Sequence, residues 1–332
     1  MDKIVLGFSG GVDSAVCAAL LRERGFEVHG LYLDNADAAA REFARAAADF
    51  YELPLTVRDV HGELEALVCA PFAACYARGE TPNPCILCNP ALKFRALCEE
   101  ADRLGAEKIA TGHYARAEGG ALYKGLPAND QSYMLCRITR EQLKRLVLPL
   151  GGFEKTQTRA LAERLGLPAA KKPDSMEICF IPDKDYVGWL ERRGVRPAPG
   201  EILLHGEAVG RHEGVHRWTV GQRLPGLYEG RKLYVSRIDA ARNVLEAAPW
   251  EELFRTEFSA REVNWLIDAP AGPLRASVRV RHTKWEEPAC TVYPTPDGGA
   301  RIVCDTPVRA PAAGQSAVLY DGERLLGGGF IV

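Results

Sequence analysis

The sequence predicts an α/β fold: a doubly wound parallel-sheet domain, then a small central β-rich domain, then a C-terminal antiparallel β-barrel. Three observations predict it. Short apolar runs alternate with amphipathic stretches along the first half, at the spacing of strand–helix–strand units. A glycine-rich turn follows the first of those runs. Period-2 alternation broken by turn residues fills the last third, as in ASVRVRH, CTVYP, ARIVCD and SAVLYDG. The expected domains are 1–183, 184–250 and 251–332.

The elements follow in order. Ile4–Phe8 is a strand, and Asp13–Arg24 an amphipathic helix that Gly25 ends. Val28–Leu33 is the second strand, Ala36–Tyr51 an Ala-rich helix, and Leu53–Val57 the third strand. The helix Ala91–Leu104 leads to a strand at Lys108–Thr111. Ligands of such sheets bind beyond the carboxyl ends of the strands, where Ser9, Leu33 and Gly112 fall. Thr139 and Gln142 have capping-box spacing, and Glu154–Leu165 is a helix ended by Gly166. From about Pro197 short β-rich segments rich in Gly and Pro take over.

With 332 residues, 47% of them hydrophobic and 26% charged, the chain is globular and too long for one small core. No apolar run approaches the roughly 18 residues of a spanning helix, and MDKIVLGFSGG has no signal-peptide core. A cytosolic protein with no membrane partner is expected. The net charge of −2 excludes a non-specific nucleic-acid binder by bulk charge. Only 184–250 is basic, with 11 Lys and Arg against 8 Asp and Glu. Its Arg192, Arg193, Arg211, Arg217, Arg223, Arg231 and Lys232 suit an RNA stem. Ten cysteines in such a chain do not suggest a disulfide framework. Cys17, Cys69, Cys75, Cys98, Cys136, Cys290 and Cys304 are expected to pack in the interior.

Ser9-Gly10-Gly11-Val12-Asp13-Ser14 joins the first strand to the first helix. Paired glycines let backbone N–H groups converge on an anion, and the helix start adds partial positive charge. The loop is neither a Walker loop nor a GxGxxG fingerprint. It resembles the PP-loop of ATP pyrophosphatases, which adenylate a carbonyl oxygen and release pyrophosphate. That resemblance implies ATP and Mg2+, with Asp13 at the metal and polyphosphate. It places the nucleotide against Gly7, Phe8, Ser9, Gly10, Gly11, Val12, Asp13, Ser14, Leu33 and Gly112.

Thr81-Pro82-Asn83-Pro84-Cys85-Ile86-Leu87-Cys88-Asn89 is expected to be rigid and non-helical, because prolines flank Asn83. Farther on, Asp174-Ser175-Met176-Glu177-Ile178-Cys179-Phe180-Ile181 sets a cysteine in a strand-like context. No second CxxC completes a structural zinc site. SGGVDS, TPNPCxxCN, ATGHYA, DQSY, DSxxICFI and GQSAVLYDGERLLGGGFI occur in that order. Together they closely resemble the bacterial tRNA-specific 2-thiouridylases, the MnmA type, from residue 4 to the C-terminus. Two features depart from that pattern. The stretch after Asn35 is short, and position 85 is Cys where many members carry Asp.

The resemblance implies thiolation of the wobble uridine of tRNAs for Lys, Glu and Gln. Cys179 would carry sulfur as a persulfide and Cys88 would be the nucleophile or resolving thiol. Asn83, Pro84 and Cys85 would meet the target base, and His113 would contact the RNA, although it is also a candidate neighbour for lowering a thiol pKa. Asn129, Asp130 and Gln131, and in the barrel Arg281, His282 and Gln315, would contact the tRNA. The partners implied are tRNA and a sulfur-donor protein, either a persulfide relay or a cysteine desulfurase. Cys85 opens an alternative within the same fold: Cys85, Cys88 and Cys179 holding a [4Fe-4S] cluster that delivers hydrosulfide. More remote are another PP-loop ligase acting on a small molecule and a non-enzymatic tRNA-binding module.

Overall fold

The computed structural model describes residues 2–171, 178–226, 232–282 and 287–332. Asp174, Ser175, Met176 and Glu177 of the second cysteine motif, and Arg231 of the basic segment, lie outside the described residues. The chain forms two compact units. The first comprises Met1–Val68, Cys85–Met176 and Glu323–Leu326, and the second Cys69–Pro84, Glu177–Gly322 and Gly327–Val332.

The first unit is built on a five-stranded parallel sheet. Its order is Leu55–Asp59, Glu27–Asp34, Lys3–Gly7, Lys108–Ala110, Leu146–Val147. Ile4, Val5 and Leu6 are all buried, as a strand covered on both faces requires. The order reverses between Lys3–Gly7 and Lys108–Ala110, and that switch point is where doubly wound sheets bind ligands. The helix Val12–Glu23 packs Val12, Ala15, Val16, Ala18 and Leu21 into the core with Leu161 and Ala162. It ends as expected: Gly25 is left-handed, and the Phe26 N–H reaches back to the Leu21 carbonyl. The second helix is shorter than expected, Ala38–Phe50, because Asp37 caps it by accepting from the Ala40 N–H. Both halves of the Thr139–Gln142 capping box are present, and Glu154 with Gln157 forms another ahead of Lys155–Arg164.

The expected helix at 91–104 starts differently. A π-helical turn, Asn89–Phe94, precedes the α-helix Arg95–Leu104. A hairpin that the sequence reading missed, Ala115–Glu118 with Ala121–Lys124, extends this unit. Tyr123 and Leu122 of its second strand pair with Arg324 and Leu325.

The second unit holds two sheets. One runs Arg223–Leu224, Leu233–Asp239, Val244–Pro249, Gly200–Leu204, Glu207–His212, around Ile202, Val215, Val235 and Leu245. The other is an antiparallel barrel in the order Phe254–Trp265, Ala300–Arg309, Ala289–Pro294, Leu274–Arg279, Ser316–Asp321, Arg324–Ile331. Residues 327–331 of the last strand pair back with the first, which closes these six strands into a barrel. Inward residues alternate along its strands, among them Val278, Cys290, Val292, Ile302 and Val318.

Candidate functional site

The glycine-rich loop sits at the end of the first strand. Gly10 is left-handed at φ 73, and a β-carbon there would lie 3.1 Å from both Ala44 and Ala47. Gly11 is the N-cap of the helix Val12–Glu23, and no side chain caps that end. The first N–H groups of the helix therefore face outward without a cap, which is the arrangement an anion uses. The Ser14 hydroxyl donates to the Gly11 carbonyl at 3.0 Å, and the Ser9 hydroxyl lies 3.4 Å from it. Gly7 ends the strand, Phe8 and Val12 are buried on either side, and Leu33 is half-buried near the end of the neighbouring strand. Gly112 follows the strand across the switch point. A β-carbon there would come within 3.0 Å of the Asp13 β-carbon, so glycine lets the two elements meet.

Asp13 stands in the first turn of the helix. Lys155 Nζ donates to both its carboxylate oxygens at 2.7 Å, and the Tyr114 hydroxyl donates to Oδ1 at 2.7 Å. Burial raises the Tyr114 phenol above its usual range, so it serves as a donor. Sequence reasoning missed Lys155 and gave Tyr114 no role. A signal for Lys155 exists: it opens a helix, where a cation runs against the macrodipole. A positive group in that place calls for a partner, and Asp13 is that partner. Asp13 is the carboxylate that Mg2+ would use beside phosphate oxygens and water, and the ion would take over oxygens that Lys155 now holds.

The cysteine segment corrects an expectation. Thr81–Asn83 belongs to no helix or strand, but Pro84–Cys88 is an α-helix. Proline has no N–H to lose at the first helical position, and its fixed φ suits a helix start. Cys85 is exposed and Cys88 half-buried. Burial pushes the Cys88 thiol up, while the Lys93 charge and the Lys93 backbone N–H pull it back down. The π-turn supplies that N–H, since Lys93 is five residues beyond Cys88. Asn89, fully buried, fixes the end of the helix by donating to the Met134 carbonyl at 2.8 Å, and Gln142 donates to the Pro90 carbonyl.

His113 stacks on Phe94 and pairs through Nδ1 with the Thr111 hydroxyl at 2.8 Å. Burial, and then the Lys93 charge, holds it well below the usual imidazole range, so it is uncharged at neutral pH. Lys93 is thus the cation that acts on Cys88.

Cys179 is exposed, and lies in a turn rather than a strand. The Ile181 N–H closes that turn on the Ile178 carbonyl, and Pro182 behind it cannot join a ladder. Within neither unit do three His, Cys, Asp or Glu side chains gather as a metal site among the described residues. Of the seven cysteines expected to pack, Cys17, Cys69, Cys136, Cys290 and Cys304 are buried, and Cys75 and Cys98 are half-buried.

The residues expected to meet RNA fall in several places. Asp130 accepts from the Gly125 and Ser132 N–H groups, and Gln131 accepts from the Tyr114 N–H, tying the loop after the hairpin to the strand end. Asn129 lies half-buried beside them. Arg281 donates to the Val220 and Ala310 carbonyls, and Gln315 to the Thr81 carbonyl. Asn83 is half-buried, Pro84 buried and His282 exposed. Arg192, Arg193, Arg211, Arg217, Arg223 and Lys232 are all exposed. Among them Arg193 lies over the Trp189 ring and Arg217 pairs with Glu191.

Three family descriptions match the chain in sequence: a tRNA methyl transferase HUP domain over 2–183, a tRNA methyl transferase PRC-barrel domain over 190–248, and an aminomethyltransferase beta-barrel domain over 255–331. Among curated proteins it is 41% identical over 345 residues to the tRNA-specific 2-thiouridylase MnmA of Syntrophotalea carbinolica, covering 99% of this chain and 98% of that one. It is 42% identical to the protein so named in Rhodospirillum centenum, covering 99% and 91%. The Desulforudis audaxviator protein of that name is 40% identical, covering 100% and 98%.

Two outcomes follow from this geometry. Gly10→Ala adds a β-carbon at a left-handed, closely packed position, a conformational penalty of about 1–2 kcal/mol before any clash. Titration calorimetry with ATP as a polyphosphate probe should show binding weakened at least about tenfold. For Cys88, alkylation followed by peptide mass should accelerate with pH beyond the ordinary thiol range. Lys93→Met removes a charge that lowers the thiol pKa, so less thiolate is present at pH 8 and the rate there should fall about threefold.

Proposed function

The chain belongs to the tRNA-specific 2-thiouridylase family, and on that premise we propose that it replaces the 2-oxygen of the wobble uridine with sulfur in tRNAs for Lys, Glu and Gln. The observation that carries the reading is the uncapped helix start at Gly11, with Asp13 beside it, in the unit that also holds Cys88. A methyl-transfer label attaches to two of the matching family descriptions. Attack on a sulfonium methyl needs no polyphosphate cradle, so thiolation is the reading kept.

The chemical difficulty is that oxide leaves carbon poorly. The uridine O2 attacks the α-phosphate of ATP, and pyrophosphate departs into the cradle of loop amides. Those amides, fixed before reaction, offset the charge as it moves. Asp13 would hold Mg2+, which supplies neutralisation of the polyphosphate when bound. Lys155 and Tyr114 keep the Asp13 carboxylate aimed.

The terminal sulfur of a Cys179 persulfide then attacks C2, and AMP leaves with its oxygen. The Cys88 thiolate attacks the Cys179 sulfur, releasing 2-thiouridine and leaving a Cys88–Cys179 disulfide. A dithiol reductant returns both thiols for the next turnover. The exposure of Cys179 suits loading by a sulfur-donor protein. The base must leave its stack to react, and Asn83 and Pro84, just ahead of Cys85, are the residues assigned to receive it. The exposed basic side chains of 184–250 suit contact with the tRNA backbone.

The test is nucleoside mass analysis of tRNA after incubation with ATP, Mg2+, a dithiol and a persulfide donor. 2-Thiouridine should form with one AMP and one pyrophosphate each. ADP and phosphate as products would overturn the assignment. Asp13→Asn should abolish adenylation while tRNA binding, measured by filter retention, stays within about twofold.

Cys85 separates the two sulfur routes. On the persulfide route it handles no sulfur, so Cys85→Ala should keep most anaerobic activity in iron-free protein, while Cys88→Ser and Cys179→Ser each stop turnover. Loss of both bound iron and activity in Cys85→Ala would overturn the persulfide route in favour of the cluster.

A further inference from the structure

The segment entering the cysteine helix is held by the barrel through a set of contacts that centres on Thr81. Its N–H donates to the Ala313 carbonyl at 2.8 Å. Its carbonyl accepts from Gln315 Nε2 at 2.8 Å. Its hydroxyl donates to the Thr219 hydroxyl at 3.1 Å, on the loop before the Arg223–Leu224 strand. Every polar atom of Thr81 is thus engaged, three residues before the helix that carries Cys85 and Cys88.

Glu80 adds charge to the junction. Its carboxylate accepts from Arg78 at 2.9 Å and from both terminal nitrogens of Arg261 at 3.2 and 3.3 Å. Burial works against its charge, yet those hydrogen bonds hold it below the usual carboxylate range. Arg261 belongs to the barrel strand Phe254–Trp265. On the opposing turn Gly314 is left-handed at φ 87, and a β-carbon there would lie 2.9 Å from both the Glu80 β-carbon and the Thr81 nitrogen. That turn is itself locked, because the Gly314 N–H donates to the Ile331 carbonyl and the Ile331 N–H to the Gln315 carbonyl.

We propose that the barrel turn Ala312–Gln315 is a clamp that positions the Thr81–Pro84 segment, and that Gln315 acts on thiolation as a positioning residue through Thr81. The proposal rests on the thiolation reading above. The barrel then has a task beyond carrying RNA contacts: it sets the conformation of the strand of chain that receives the base. An amide donor on a backbone carbonyl, with an ion pair beside it and a glycine allowing close approach, fixes both the position and the direction of the peptide at residue 81. Such alignment appears in the turnover rate rather than in affinity, because small misplacements of reacting groups are expensive in rate.

The test uses the full chain with Gln315→Ala, Gln315→Glu and Arg261→Gln. Glutamate keeps the length of the side chain but has no N–H for the Thr81 carbonyl. Steady-state thiolation and amide hydrogen exchange are measured on each. Both Gln315 variants should lower kcat about tenfold and leave KM for tRNA within about twofold. Exchange over residues 81–88 should quicken at least about tenfold, with residues 12–23 unchanged. Arg261→Gln should shift both readouts the same way and by less, and it reads the clamp even where Gln315→Ala folds poorly. A raised KM with unchanged kcat would make Gln315 an RNA contact and overturn the proposal, as would unchanged exchange over 81–88. A wild-type chain that forms no 2-thiouridine would sink the thiolation reading alone, and exchange over 81–88 would still decide the clamp.

Discussion

A cradle made from backbone amides exists only if the chain turns sharply between strand and helix, and here the turn depends on Gly10. Its left-handed backbone is open to glycine at no steric cost, and a β-carbon on it would lie 3.1 Å from Ala44 and Ala47 of the helix Ala38–Phe50. The composition of that helix follows from the constraint. Ala44, Ala47 and Ala48 are its buried residues, and larger side chains at the first two would push the loop away. The loop that starts the helix is short and internally bonded: Asp34 accepts from the Ala36 N–H and from Arg41, and Asp37 caps the first turn. The brevity of the sequence after Asn35 is therefore compatible with an ordered edge to the site.

Charge is placed with the same economy around two groups. Lys155 opens a helix against the macrodipole and is stabilised there by both oxygens of Asp13. At Cys88 the protein does the opposite of what a permanently reactive thiol needs: burial raises the thiol pKa, and the Lys93 charge only partly offsets that. A thiol held mostly protonated resists stray oxidation. His113 adds no positive charge there, since burial keeps the ring neutral.

The sequence made the parallel sheet, the loop and the closed barrel legible because each has a strong period or a paired-glycine signature. Val12–Glu23 could be bounded within a residue at each end because Gly11 and Gly25 punctuate it. Other features were hidden for physical reasons. The hairpin at 115–124 has strands of only four residues, too short for a period to show. Pro84 was read as a breaker, though proline at a first helical position starts a helix instead. Cys179 stood among apolar residues that suggested a strand, and the turn hydrogen bond from Ile181 to Ile178 leaves no trace in residue type. Of the site, the loop glycines and the cysteine pair were legible. The partners that set their electrostatics, Lys155 and Tyr114, were not, because they lie 142 and 101 residues from Asp13.

The polar residues expected at the RNA surface raise a question of energetics that residue type alone does not answer. Asp130, Gln131, Arg281 and Gln315 carry the groups that nucleic-acid contacts use, and each also has an internal partner: Gly125 and Ser132, Tyr114, Val220 and Ala310, and Thr81. Exchanging one such hydrogen bond for a phosphate or base edge gains little by itself, since a typical net contribution is about 1 kcal/mol. It also leaves a main-chain group in need of a new partner. A tRNA that engaged these side chains would therefore do so by releasing the segments they hold. Arg192, Arg193, Arg211, Arg217 and Arg223 of 184–250 are exposed, and guanidinium groups so placed suit phosphate. On the thiolation proposal, affinity and alignment would fall to different residues: general attraction to the basic central surface, and placement of the reacting base to the bonded junctions at Thr81 and Tyr114.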